Sequence, residues 1–481
     1  RLSFVLSENN FFAGPGETQV NSPGFGIGAD KSNTLFFDNY NPRFSGFESL
    51  SHLVLYTRMP SFFEHLTTEA SMVVRFLMVG ARETDLYDSG SYIRLIYDLS
   101  RGKREDTTLE LVLFPVSGDR FRLGYSYKIS WGGNDIFPQG ATTGSGVERL
   151  RPAAKLQVNL PWGYGFVGFK SAQLQEHIGD TRQTEMVTNY GVLGGLGVDI
   201  SGLRAEVGGG FFTRGTFAHQ GVRGDPMYGG GISYQLGYHR GMPIGTSIDF
   251  ALYKNDPDLT TKFFRPEEYG EGFSFVVKHE GSFLFQTLMD PDLYGTTVNQ
   301  VAYAFDLNFA MKWRYLRVHL DAMYRTLSFL LYEVPSFTPY QEFPRAADAR
   351  PEYFAAVGVD YHFPSLRLTP GIKFGVQMPA SYTIENLDVG NLTFTGKRTV
   401  VITDIASRSV LPIDEGAVMI WSVKATCRWD ISEALAVVAE LYYSFDDNQV
   451  RYLSDFEGLN VISTFVEPDI LGVNLAAQAR F

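Results

Sequence analysis

One cysteine, Cys427, stands in a chain of 481 residues, so no internal disulfide can form. No stretch approaches the ~18 consecutive apolar residues that a membrane-spanning helix needs, which excludes a helical span. That shortage does not exclude a membrane, because a spanning β-strand leaves only an alternating trace. Positive charge is also in deficit: the formal net charge is -12, which disfavours nucleic acid as a partner. The enzyme signatures G-x-S-x-G, H-E-x-x-H and C-x-x-C are missing, and the eight histidines are scattered. His319 stands two residues from Asp321, an acid–base pair in principle, yet a polar wall group accounts for it better. On these grounds the chain is not read as an enzyme.

What is plentiful is aromatic residues, at 15%, and glycine, with 49 copies. The last eleven residues, LGVNLAAQARF, put Leu471, Val473, Leu475, Ala477, Ala479 and Phe481 on one parity, with Asn474, Gln478 and Arg480 on the other. The same two-residue period runs through FRLGYSYKISW (121–131), VAYAFDLNFAMKW (301–313) and LRLTPGIKFGVQM (366–378). Side chains of a strand alternate faces, so a period of two is a strand signature. These segments run about 10 to 13 residues, enough for a tilted strand to cross a bilayer and longer than the usual globular strand.

Connections alternate between short and long. Short ones are read at 117–119, 160–163, 200–202, 239–243, 279–282, 313–315, 363–365 and 429–433. Long ones are read at 132–148, 175–185, 215–226, 256–270, 290–299, 330–350, 379–415 and 447–468. The pattern predicts an all-β fold: an antiparallel up-and-down transmembrane barrel of about 20 strands, within a range of about 18 to 22, with short periplasmic turns and long outer loops. Strands are expected at 119–131, 244–255, 271–279 and 282–289 among others. The barrel is assigned to 48–481. Residues 1–47, rich in Gly, Pro, Asn and Ser, read as a strand from LSFVLSE, a loop or a short lumen plug.

The chain resembles a Gram-negative outer-membrane β-barrel protein. The resemblance is carried by the alternation from residue 48 onward and by terminal Phe481, which is similar to the signal read by the barrel-assembly machinery. It implies an integral outer-membrane protein whose partners are membrane lipid, lipopolysaccharide, that machinery during biogenesis, and small solutes. It does not single out a family within the class.

Parity then sorts a lumen set. A basic patch of Arg120, Arg122, Lys128, Arg149, Arg151 and Lys155 falls on two strands joined by one outer loop. Arg367, Lys373, Lys424, Arg428, Arg480, Asp306, Asp321, Asp360 and Glu440 are also placed on the inner face. Two outcomes are open: a basic lining that favours anions, or cations paired with wall carboxylates such as Glu110 and Glu206. The repeated DPDL places Asp256, Asp258, Asp290 and Asp292 in outer loops. Such carboxylates can hold calcium or bridge to lipopolysaccharide phosphates, although Asp-Pro is first of all a turn former, and no cofactor is otherwise implied. The functional expectation is a passive channel for small hydrophilic solutes, anions included. The alternatives are a barrel scaffold within a larger envelope assembly for secretion, adhesion or motility, and a gated transporter of hydrophobic ligands with a short N-terminal hatch.

Overall fold

The computed structural model describes residues 2–8, 48–59, 62–79, 83–88, 91–100, 107–118, 121–124, 129–132, 141–143, 152–177, 184–219, 222–241, 272–290, 296–332, 347–389, 392–404, 407–454 and 461–479. The first strands are β1 (Leu2–Glu8), β2 (Glu48–Met59), β3 (Leu66–Val79), β4 (Glu83–Asp88), β5 (Tyr92–Asp98), β6 (Thr108–Phe114) and β7 (Ala141–Thr143). Next come β8 (Ala153–Leu160), β9 (Gly163–His177), β10 (Thr184–Ile200), β11 (Leu203–His219), β12 (Val222–Arg240), β13 (Phe273–Met289), β14 (Thr297–Trp313) and β15 (Leu316–Arg325). After the short helix α1 (Leu327–Tyr332) come β16 (Asp348–Arg350), β17 (Glu352–Tyr361), β18 (Leu368–Met378), β19 (Ala380–Val389), β20 (Leu392–Asp404) and β21 (Ser407–Val410). The chain ends with β22 (Ile420–Asp430), β23 (Leu435–Phe445), β24 (Val450–Ser454), β25 (Val461–Phe465) and β26 (Asp469–Ala479).

Pairing follows chain order and is antiparallel throughout. β2, β3, β5, β6, β8 and β9 succeed one another, β9 to β15 follow in unbroken order, and β17, β18, β22, β23 and β26 complete the series. β1 pairs with β26 on one side and β2 on the other, so the ladder returns to its start. Of the 20 strands in this sheet, β4 and β7 extend the upper part beside β3, which leaves 18 in the ring among the described residues. A closed ladder leaves no edge, as a lipid-facing sheet requires.

Which face is oily settles what surrounds the ring. Along β17 the buried side chains are Glu352, Phe354, Ala356 and Asp360, while Tyr353, Ala355, Val357, Val359 and Tyr361 are exposed. Along β22 the buried set is Ile420, Ser422, Lys424, Thr426, Arg428 and Asp430, and Trp421, Ala425 and Trp429 are exposed. Charge inside and hydrocarbon outside inverts the order of a water-soluble protein, and it is the order of a barrel in lipid. Exposed Trp162, Tyr238, Phe273, Trp313, Tyr361 and Trp429 gather toward the short-turn end. Phe211, Tyr228, Phe285, Tyr303, Tyr353 and Trp421 gather toward the other. Amphipathic rings collect at the two interfaces of a membrane in this way. Among the turns, Ser201 and Gly202 both take positive φ, 52° and 85°, so β10 and β11 join through a tight turn whose twist matches the strands.

At the long-loop end, β16, β19, β20 and β21 form a second sheet and β24–β25 a separate hairpin. Leu327 and Leu330 of α1 pack with Tyr382, Phe394, Val400 and Ile402 of that sheet and with Leu288 on the inner face of β13. Arg398 ties the loops together, donating to the carbonyls of Thr395 at 3.1 Å and Leu411 at 3.2 Å and to Ser463 Oγ at 3.3 Å.

The strand expectations need three corrections. Residues 271–289 form one strand, β13, because the polar run His279–Ser282 passes straight through the sheet. Outward-facing Gly281 is roofed by the Tyr234 ring, where a Cβ would meet ring carbon at 2.3 Å. The Tyr234 hydroxyl and the His279 Nε2 lie 2.9 Å apart, and His279 Nδ1 lies 3.0 Å from the Asp306 carbonyl. A neighbouring aromatic thus replaces the missing side chain, and residues that resemble a turn remain in the ladder. Second, β12 pairs directly with β13, so no strand from 244–255 stands between them. Residues 242–271, with the connection read as the outer loop 256–270, lie outside the described residues. Third, residues 121–124 and 129–131, read within a wall strand at 119–131, lie inside the ring.

Candidate functional site

The inner face is built by strand parity, and its charges meet across strands. On β5, Arg94 reaches Glu110 of β6 at 2.7 Å and Glu69 of β3 at 3.5 Å. Asn159 of β8 donates to the same Glu110 at 2.7 Å. Arg325 and Glu352 sit directly opposite on β15 and β17, 2.7 Å apart and almost fully buried, with Gln377 also donating to Glu352. Lys373 reaches Asp321 at 3.1 Å, and Asn308 donates to the same carboxylate. Arg317 faces Asp360 at 3.8 Å and Arg428 binds Asp430 at 2.8 Å. Arg204 donates to the Tyr164 hydroxyl at 2.9 Å, and that hydroxyl bonds Glu206. Buried cations with bonded carboxylates form a rigid, nearly neutral lining, since an unpaired charge there would be costly.

Lys155, Lys373, Lys424, Arg428, Asp360 and Glu440 are buried on this wall, with Asp306 and Asp321 on the same face and partly accessible. Lys373 and Lys424 are direct cross-strand neighbours on β18 and β22. His319 covers Gly358, where a Cβ would approach its ring to 2.0 Å. Arg367 is a correction: it occupies the exposed turn between β17 and β18 with φ of 52°, beyond the wall, because the turn still holds where the alternation begins. Of the basic patch, Arg122 donates to Ser130 Oγ at 3.1 Å, and the Lys155 ammonium sits 4.3 Å from the centre of the Phe166 ring. Arg120, Lys128, Arg149, Arg151, Arg480 and Phe481 lie outside the described residues, as do Asp256, Asp258 and Asp292. Asp290 follows β13, and among the described residues no group of three metal-ligating side chains gathers there or elsewhere.

The segment expected as a wall strand at 119–131 supplies the main surprise. Leu123 and Trp131 exchange backbone hydrogen bonds of 2.8 and 2.9 Å, so residues 121–124 and 129–132 are two arms of one hairpin. Its apolar side chains are sealed away from solvent: Phe121, Leu123, Ile129 and Trp131 are all 0% exposed. They lie on the inner surface of β9 to β12. Phe121 rests over Gly168, where a Cβ would stand 2.2 Å from its ring, and Leu123 covers Gly208 at 2.9 Å. Phe166, Leu193, Phe212 and Leu284 complete an apolar seat around it. α1 inserts Phe329 into the same cluster, joining the hairpin to the loop sheet above.

An 18-strand closed ladder, an oily exterior with rings at both ends and a charged interior together decide the class. The protein is an outer-membrane β-barrel. No family model and no curated protein matches the barrel's sequence. Among solved structures it is similar to OccK2 (OpdF) of Pseudomonas aeruginosa, at 8% identity over 100% of this chain and 98% of that one, with a TM-score of 0.43. It is also similar to a BenF-like porin from Pseudomonas fluorescens Pf-5, at 8% identity over 99% and 96%, with a TM-score of 0.42. OmpT, an outer membrane protein of Vibrio cholerae, aligns at 8% identity over 100% and 95%, with a TM-score of 0.33. The class rests on the barrel's own ladder and its two faces.

Proposed function

We propose that the barrel is a porin-like channel for small hydrophilic solutes. The single observation behind this reading is the closed ring whose inner face carries charge while a hairpin from one outer loop folds onto it. A scaffold has no need of a charged interior, and a hydrophobic-ligand transporter would want its apolar surface open. Here the apolar surface seats the hairpin. The paired wall sets what passes. Cations such as Arg94, Arg325 and Lys373 already hold carboxylates, so selectivity for anions is weak. Purified protein in planar bilayers should give ohmic steps with a reversal potential in a salt gradient close to zero. Liposomes carrying it should swell in small sugars and not in large ones. An electrically silent, sugar-impermeable protein overturns this function.

A further inference from the structure

We infer that Lys170 is the latch that holds the inward hairpin on the wall, an inference that rests on the channel reading only for its effect on conductance. Lys170 lies on the inner face of β9, 1% exposed. Its ammonium donates to the carbonyl of Phe121 at 2.6 Å and to the carbonyl of Gly132. Those two carbonyls stand at the outer ends of the hairpin's two arms, so one side chain closes both. The ammonium also lies 5.7 Å from the centre of the Phe121 ring. Among the described residues, the hairpin otherwise rests on apolar contact with Gly168, Gly208, Phe166, Leu193, Phe212 and Leu284, which supplies fit but little direction. Carbonyl bonds to a cation are directional and about twice as strong as neutral ones.

The arrangement is also reversible. A buried ammonium is tolerated because the hairpin's carbonyls replace its water. When the hairpin lifts, Lys170 faces the lumen and can be hydrated again, so release leaves no stranded charge. Lys170 is therefore a positioning residue: it touches no solute and acts by fixing the segment that narrows the path. Side chains that cannot donate to two carbonyls at once would leave the hairpin seated only part of the time.

Two readouts separate the latch from the channel. Amide exchange of the refolded full chain, followed in the segment 119–132, reports the hairpin directly. Lys170→Met should speed exchange at Leu123 and Trp131 roughly ten- to hundredfold, with β9 residues 163–169 unchanged, and Lys170→Arg should restore protection. In bilayers the same Met variant should show larger or rapidly flickering steps, and the Arg variant steady ones. Lys170→Ala, which has no donor, serves if the Met variant fails to fold. Unchanged exchange in a folded Met or Ala variant overturns the latch. A wild-type protein that never conducts overturns the channel instead, while exchange still decides the latch.

Discussion

Placing an arginine on the outer face of β17 tests whether hydrocarbon lies there. Tyr353 and Tyr361, both exposed, stand near the two aromatic zones, with Val357 midway between them. Eight residue steps at ~3.3 Å span about 26 Å of strand, or about 20 Å across the membrane at a tilt of ~40°. Val357 therefore sits about 10 Å from either zone, close to the midplane. Arginine at the midplane of a barrel costs about 2–4 kcal/mol, and near an interface about 0–1 kcal/mol. Val357→Arg should thus lower the folding equilibrium constant roughly 30- to 900-fold, and Tyr361→Arg by little. Reversible denaturant unfolding in phospholipid vesicles measures both. Equal, near-zero costs at the two positions would refute the reasoning, since water or a polar partner would then be covering Val357.

Arg325→Met should cost about 3–5 kcal/mol in the same assay, because Glu352 is left charged and buried, while Arg325→Met with Glu352→Met should recover most of it; no recovery would show that the two residues are not coupled. Gly281→Val should destabilise the sheet by displacing the Tyr234 ring, and Tyr234→Ala in the same chain should relieve the clash; a neutral Gly281→Val contradicts the roofed position. In the outer loops, burial raises the Asp446 carboxyl above the usual carboxylate range, with hydrogen bonds from Asn448 opposing. A native value above the unfolded one makes the folded loop take up the proton first. That contribution is complete below about pH 4 and is lost as pH rises through the native value. Amide exchange at Asn448, corrected for its intrinsic pH dependence, should therefore accelerate across that range, and Asp446→Asn should abolish the trend.

Much of this architecture is legible in the sequence because a barrel uses the simplest code a chain can carry. Parity alone separates Lys424 from Trp429 on one strand, and Glu352 from Tyr353 on another, since water and hydrocarbon tolerate opposite residues. What parity cannot show is which surface an alternating segment rests on. FRLGYSYKISW alternates as a wall strand would, but its Phe121, Leu123, Ile129 and Trp131 meet other protein inside the ring. The partner surface is written in Gly168 and Gly208, dozens of residues away, and glycines read as weak strand positions rather than as a seat. His279–Ser282 failed for a related reason. A turn-like run stays extended when a neighbouring strand supplies the missing ring, and only the register between β12 and β13 reveals that Tyr234 does so. Arg367 shows the limit at an edge, where alternation starts in the letters before the strand begins.

The central claim is that the outer face meets hydrocarbon while the inner face encloses a polar lumen. Spin labels placed one at a time from Tyr353 to Tyr361 in vesicle-reconstituted protein test it most directly, read by collision with oxygen and with a water-soluble nickel complex. Oxygen contact should peak at 353, 355, 357, 359 and 361 and dip between them, with nickel contact lowest near 357. Oxygen contact without that two-residue period, or nickel contact high at 357, would contradict the barrel.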